Sequence, residues 1–400
     1  MNLARTKKNW LSQSKGIGMP DNTPIRRARL AGVISSHLPA AATSATDGIL
    51  DVTDLHAFSL KEPVSGRKYT VIKLQTQSGV AGFGECGSVS VDELSKARQV
   101  VVGKPATAYE VIRQQLMFLP HLQGAVNMAL LDVVGKQTKA PVYQVLGGPT
   151  RNKARAVTPL AGASGEALLA SMQRAQEAGF RAFLVPPPAG EAPNRGQAFV
   201  HAALKRLDAL RAAGGDAVDF VLDGAGALSA GDASSLAHSF ERFHLLWFDE
   251  PCRVSNLATL RKIAAESVTP LGFGRHLHQA GDFQDLLLEE VMDVLRPNLA
   301  LNGISSIRKM AAIAETYYVA VAPYHDGGPI GTVAALHLAA SLPNFFIQQI
   351  PLPVADADRK MRTELAGSVE AVKDGFAALP AGPGLGITVN EAALEKYKGL

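Results

Sequence analysis

Six short stretches decide the fold: DFVLDGAG (219–226), LLWFDEP (245–251), PLGFGRHL (270–277), DVLRPN (293–298), VAVAPYHDGGP (319–329) and FFIQQ (345–349). Each is a brief apolar run closing on a polar residue: Asp223, Asp249, Arg275, Asn298, Tyr324 and Gln349. RAFLV (181–185), closing near Leu184, precedes them in the same style. The ends recur roughly every 25 residues, the length that one strand, one loop, one helix and a return loop need. A chain repeating this unit closes into a parallel (β/α) barrel whose chemistry gathers at the carboxyl ends of the strands. The end residues are therefore the candidate site: two aspartates, an arginine and no lysine.

Upstream, DLHAFSL (54–60), KYTVIKLQT (68–76) and GVAGFGE (79–85) read as three strands joined by the turn-forming KEPVSGR and QSG. From Val91 to about Leu146 the pattern turns helical, with AVNMALLDVVGKQ (125–137) apolar at three- and four-residue spacing. The expectation is an α/β protein: a modified TIM barrel behind an N-terminal α+β capping domain. The expected divisions are an extension over 1–48, a capping domain over 49–148, a barrel over 149–365 and a C-terminal segment over 366–400 that returns to the cap.

The chain has 400 residues, 47% hydrophobic and 19% charged, enough to bury a barrel core. Its net charge of +4 is spread over 40 basic and 36 acidic residues with no basic run interleaved with aromatics, so nucleic acid is not an expected partner. Cys86 and Cys252 lie in different expected domains and read as buried thiols. No stretch approaches the about 20 apolar residues of a membrane span. The expected location is cytoplasmic. Arg26-Arg27 followed by ARLAGVISSHLPAAATSA (28–45) offers the alternative of twin-arginine export, although Ser35, Ser36, His37 and Pro39 break the apolar run.

The longer words in this order resemble the enolase superfamily, and within it the mandelate racemase and sugar-acid dehydratase branch. GVAGFGECG (79–87) resembles the capping-domain G-x-x-G-x-GE. ALLDVVGKQTKAPVYQVLGGPTRNKARA (129–156) resembles the helix and turn leading into the barrel, HDGGPIGTVAALHLAASLPNFFIQQ (325–349) its last barrel unit, and DGFAALPAGPGLGITVNE (374–391) its PGLG return. The resemblance implies proton abstraction next to a carboxylate, with the enediolate stabilised by Mg²⁺ on three strand-end carboxylates and a Lys or a His–Asp pair as base. It places metal positions on Asp223 and Asp249, but the third falls on Arg275. The two lysine positions fall on Leu184 and Pro186, the orienting aspartate on Asn298, the histidine on Tyr324 and a frequent acidic residue on Gln349; Ala225 stands where an asparagine is common.

Two converging carboxylates repel, and a guanidinium bridging both removes that penalty. Asp223, Arg275 and Asp249 are therefore expected to form an internal ion triad, and no cofactor is expected. Mg²⁺ enters only if a further carboxylate, such as Glu250 or Asp326, completes the set. Three readings of function stay open: a catalytically degenerate homologue keeping a pocket for a small acid, a rewired metal-free enzyme, and a Mg²⁺-dependent sugar-acid dehydratase or racemase. In the second, Tyr324, His325 or His276 serves as acid or base with Arg275 as electrophile. His276, His278 and His325 near two strand ends also raise transition-metal binding, against ordinary packing. Arg275, Arg67 and Lys68 are the expected contacts for a small anionic carboxylate in a positively charged rim, and a homo-oligomer is expected.

Overall fold

The computed structural model describes residues 48–188, 196–254 and 256–399; the extension with its Arg26-Arg27 stretch lies outside the described residues. β1 (Val52–Lys61), β2 (Lys68–Thr76) and β3 (Ala81–Cys86) pair antiparallel in that order, with β1 and β2 joined by the 62–67 turn. The helical stretch follows as α1 (Val91–Val101), α2 (Tyr109–Gln115) and α3 (Pro120–Gln137). Ser90 and Glu93 form a capping box at the start of α1, satisfying amides the first turn would otherwise leave open. Every residue of α3 from Leu122 to Gly135 is buried, because the helix lies between β3 and a barrel helix. Its polar Asn127 is satisfied across that second contact by Ser305, at 2.9 and 3.0 Å. β3 rests directly on α3 through glycines: a Cβ at Gly82 or Gly84 would come within 2.1 or 1.9 Å of the Ala129 or Ala125 carbonyl oxygen.

The barrel alternates strand and helix. It runs β4 (Lys153–Pro159), α4 (Gly165–Glu177), β5 (Ala182–Val185), α5 (Gln197–Gly214), β6 (Asp219–Asp223) and α6 (Ala230–Ser239). It continues β7 (Phe248–Asp249), α7 (Leu257–Glu266), β8 (Leu271–Phe273), α8 (Ala280–Leu288), β9 (Val294–Leu295), α9 (Leu299–Thr316), β10 (Ala320–Val321), α10 (Pro329–Ser341), β11 (Gln348–Gln349) and α11 (Asp356–Ala366). β4 to β10 are parallel neighbours in chain order, and β11 returns to pair with β4. The residues just ahead of β11 reach β10, where the Phe346 amide donates to the Val321 carbonyl at 2.8 Å. Inside the ring Val157, Ala182, Leu184, Val221, Trp247, Val294, Ala322 and Ile347 pack as one apolar layer. Side chains alternate along a strand, so the residues two further on, Asp223, Asp249, Arg296, Tyr324 and Gln349, stack above this layer at the carboxyl rim.

The last segment does two things. β12 (Val372–Lys373) and β13 (Phe376–Ala378) add an antiparallel hairpin to β4, which its Pro/Gly punctuation did not reveal. Beyond it, Leu385 N donates to Asp132 of α3 at 2.8 Å, and α12 (Glu391–Lys396) ties to β2 through Lys73–Glu391 at 2.7 Å. Cys86 and Cys252 are free and buried. No described helix is long and apolar enough to cross a membrane.

Candidate functional site

Asp249 is fully buried at the end of β7 and is gripped from three sides. Its Oδ1 accepts from Trp247 Nε1 at 2.8 Å and Arg296 Nε at 2.9 Å, and its Oδ2 lies 2.6 Å from Arg275 Nη2. The same Arg275 nitrogen bonds Asp223, so the expected triad is present. Sequence reasoning missed the fourth member. Arg296 is entirely buried and donates also to the Ala322 carbonyl at 2.6 Å and to Gln349 Oε1 at 2.7 Å. Two carboxylates and two guanidiniums leave the network neutral, the condition under which charges survive burial. The signal for Arg296 was its place two residues after Val294 on an inward-facing strand. Burial pulls the Arg275 guanidinium toward deprotonation, but Asp249 and Asp223 push its pKa up further, so it stays charged.

Above this network opens a cavity of about 510 Å³, lined by Leu184, Asp223, Arg275, Tyr324, Asp326 and Gln349 from the barrel and by Glu62, Ser65 and Arg67 from the capping turn. Asp358 of α11 holds that turn down, accepting from the amides of Val64 and Ser65 at 2.8 Å each. Arg67 on the cap side of the cavity pairs with Asp326 on the barrel side at 3.1 Å. The ring of Tyr324 lies under Arg275 and Arg296, with centroids 5.2 and 5.8 Å from the guanidinium carbons. Burial, then the nearby Asp326 carboxylate, raise the Tyr324 pKa, so it is a phenol donor rather than a phenolate base. Burial also raises Asp326, with Arg67 opposing.

Several expected site residues stand elsewhere. His325 follows Tyr324 and so points the opposite way, buried under the cap with Nε2 2.9 Å from the Gly328 carbonyl; burial lowers its pKa to about 4. His276 is exposed and lines no part of the cavity, while His278 sits 3.3 Å from the Met117 carbonyl, so the three imidazoles do not converge. Lys68 belongs to β2, where it pairs with Lys61 across the strands and leaves the cavity mouth to Arg67. The rim is not simply positive either. Its two arginines face Asp223, Asp326, Asp358 and Glu62, because each cation there is matched by a carboxylate.

A divalent cation needs several oxygens converging with free lone pairs. Here Arg275 crosses the gap between Asp223 and Asp249, and Arg296 holds the remaining oxygen of Asp249 together with Gln349. Glu250 turns Oε1 to the amides of Gly274 and Arg275 at 2.7 and 2.8 Å, and Asp326 holds Arg67. Neither completes a ligand set, and among the described residues no group of three or more His, Cys, Asp or Glu is placed to hold a metal. The residues present do not fit Mg²⁺.

Residues 167–393 match the family model described as Enolase C-terminal domain-like, and residues 57–147 match the Mandelate racemase / muconate lactonizing enzyme N-terminal domain. Among curated proteins, the chain is 28% identical over 355 residues to D-galactonate dehydratase of Ralstonia pickettii, covering 83% of this chain and 91% of that one. It is 25% identical over 354 residues to D-xylonate dehydratase of Haloferax volcanii, covering 82% and 85%. Among solved structures it superposes with a TM-score of 0.79 on a mandelate racemase/muconate lactonizing enzyme-like protein from Rubrobacter xylanophilus, at 21% identity, over 88% of this chain and 98% of that one.

Proposed function

The chain belongs to the mandelate racemase / muconate lactonizing enzyme group of the enolase superfamily, and from that premise we propose that its rim cavity takes a small sugar acid. The observation that carries this is the pairing of a dehydratase-type chain, matched over more than four-fifths of its length by relatives named for D-galactonate and D-xylonate, with a cavity of about 510 Å³ at the barrel rim. That volume lies within the roughly 300–1,000 Å³ of small-molecule sites. The ligand carboxylate competes with Asp326 for Arg67, the rim cation at the mouth, and binding is an exchange of one ion pair for another.

The names of the relatives favour a lyase that dehydrates the acid. In that reaction the proton next to the carboxylate is removed and the neighbouring hydroxyl leaves, protonated, as water; the enol formed becomes a 2-oxo acid. Asp326, whose carboxyl titrates above its ordinary range, supports the acid–base role, and the Tyr324 phenol supports donation to the departing hydroxyl. The arginine-filled strand ends favour a second reading, in which the acid is bound without turnover. Incubation with a panel of sugar acids, read for 2-oxo acid product and for thermal stabilisation, decides. Product that disappears in Asp326→Asn and Tyr324→Phe supports the lyase; stabilisation without product supports binding alone. Stabilisation by neutral sugars and not by acids overturns both.

A further inference from the structure

We infer that Arg275 and Arg296 are a built-in substitute for a divalent cation, closing the strand-end site to metal and letting the cavity work on fixed guanidinium charge. Each arginine is held as part of the architecture. Arg296 places Nε, Nη1 and Nη2 on three different partners, from β7, the end of β10 and β11, with no exposed surface. Gly272 makes the room for this: a Cβ there would come within 2.4 Å of Trp247 Cδ1, 2.7 Å of its Nε1 and 3.0 Å of Asp249 Oδ1. The notch allows Trp247 and Arg296 to share one oxygen of Asp249 while Arg275 takes the other.

A cation entering between Asp223 and Asp249 has to expel the Arg275 guanidinium and then sit beside Arg296, which cannot leave because its donors are committed inside the ring. Like charges brought onto the same buried carboxylate repel strongly. Removing Arg275 alone therefore does not open the site. The Arg275 guanidinium also lines the cavity, held in place and balanced by Asp223 and Asp249, so a ligand there meets an oriented arginine without a metal.

The test titrates the full-length protein with Mn²⁺ alone, followed by electron paramagnetic resonance, so it reads out whether or not a sugar acid is ever turned over. The wild type should show no saturable Mn²⁺ binding into the millimolar range, and Arg275→Ala should stay the same. Arg275→Glu combined with Arg296→Gln should gain about tenfold or more in Mn²⁺ affinity over the wild type, and the gain should vanish when Asp223→Asn is added. Saturable binding by the wild type that Asp223→Asn abolishes overturns the inference, and this arm does not depend on the double variant folding. A well-folded double variant, by circular dichroism, that still binds no Mn²⁺ overturns it too.

Discussion

Arg275 and Arg296 differ in how they could be found. Arg275 was legible because it stands at a strand end where the family resemblance puts a carboxylate, so its charge was conspicuous. Arg296 was not, because its register two residues after Val294 was its one local mark and did not say what it would bond; its partners, Asp249, the Ala322 carbonyl and Gln349, come from three other parts of the chain. His325 was misplaced for a similar reason: one step along an extended segment reverses the side chain, and Tyr324 takes the cavity face. At this scale Arg275→Ala should destabilise the fold by about 3 kcal/mol, the cost of breaking the ion pairs at buried Asp249, which keeps Arg296, and at part-buried Asp223, which loses its arginine. Denaturant unfolding checks this, and an unchanged midpoint would mean that Asp223 and Asp249 find other compensation. Arg67→Ala should weaken acid binding while leaving stability within about 0.5 kcal/mol, as for an ordinary part-exposed pair; isothermal titration with the acid that stabilises the wild type most is the measurement.

Elements were the most legible level. The meander, the long helix α3 and the recurring strand ends follow from alternation, helical spacing and turn residues, whereas strands of two or three residues such as β7, β9 and β11 exist as strands only through their neighbours. The β12–β13 hairpin was hidden because its pairing is with β4, more than 200 residues earlier. The contact of β3 with α3 depends on glycine. Gly84→Ala forces a methyl against the Ala125 carbonyl and should destabilise by about 3 kcal/mol, at the upper end for overpacking; Gly79→Ala, at an open turn with nothing nearby, serves as the strain-only control. Gly84 does not have a positive φ, so a loss no larger than that of Gly79→Ala would refute a cost from the sheet–helix contact.

Across the whole molecule, a buried charged seam joins cap to barrel. Arg362 of α11 bonds Glu62 at the end of β1 and Glu370, each at 2.6 Å, and Glu85 of β3 accepts from the amides of Gly328 and Gly331 at the start of α10. Two neighbours in this seam respond oppositely to pH. Burial lowers His325 from 6.5 to about 4, so the unfolded chain takes its proton first and stability is lost as pH falls from 6.5 toward 4. Burial, opposed by Arg362 and the two amides, raises Glu85 from 4.5 to about 7, so its contribution is complete below 4.5 and declines as pH rises toward 7. In the wild type the two slopes oppose each other between about 4.5 and 6.5. Glu85→Gln removes one of them, and its unfolding midpoint should rise with pH more steeply than the wild type's across that window; parallel curves would refute the assignment.

The rim cavity is the proposed place for a ligand, and what the strand ends do depends on whether guanidinium or metal occupies them. The direct measurement is diffraction at the manganese absorption edge from crystals of the full chain grown or soaked in Mn²⁺. No anomalous peak is expected between Asp223 and Asp249, with the Arg275 guanidinium in contact with both and Arg296 on Asp249. A peak within bonding distance of both carboxylates, with Arg275 swung away, would contradict it.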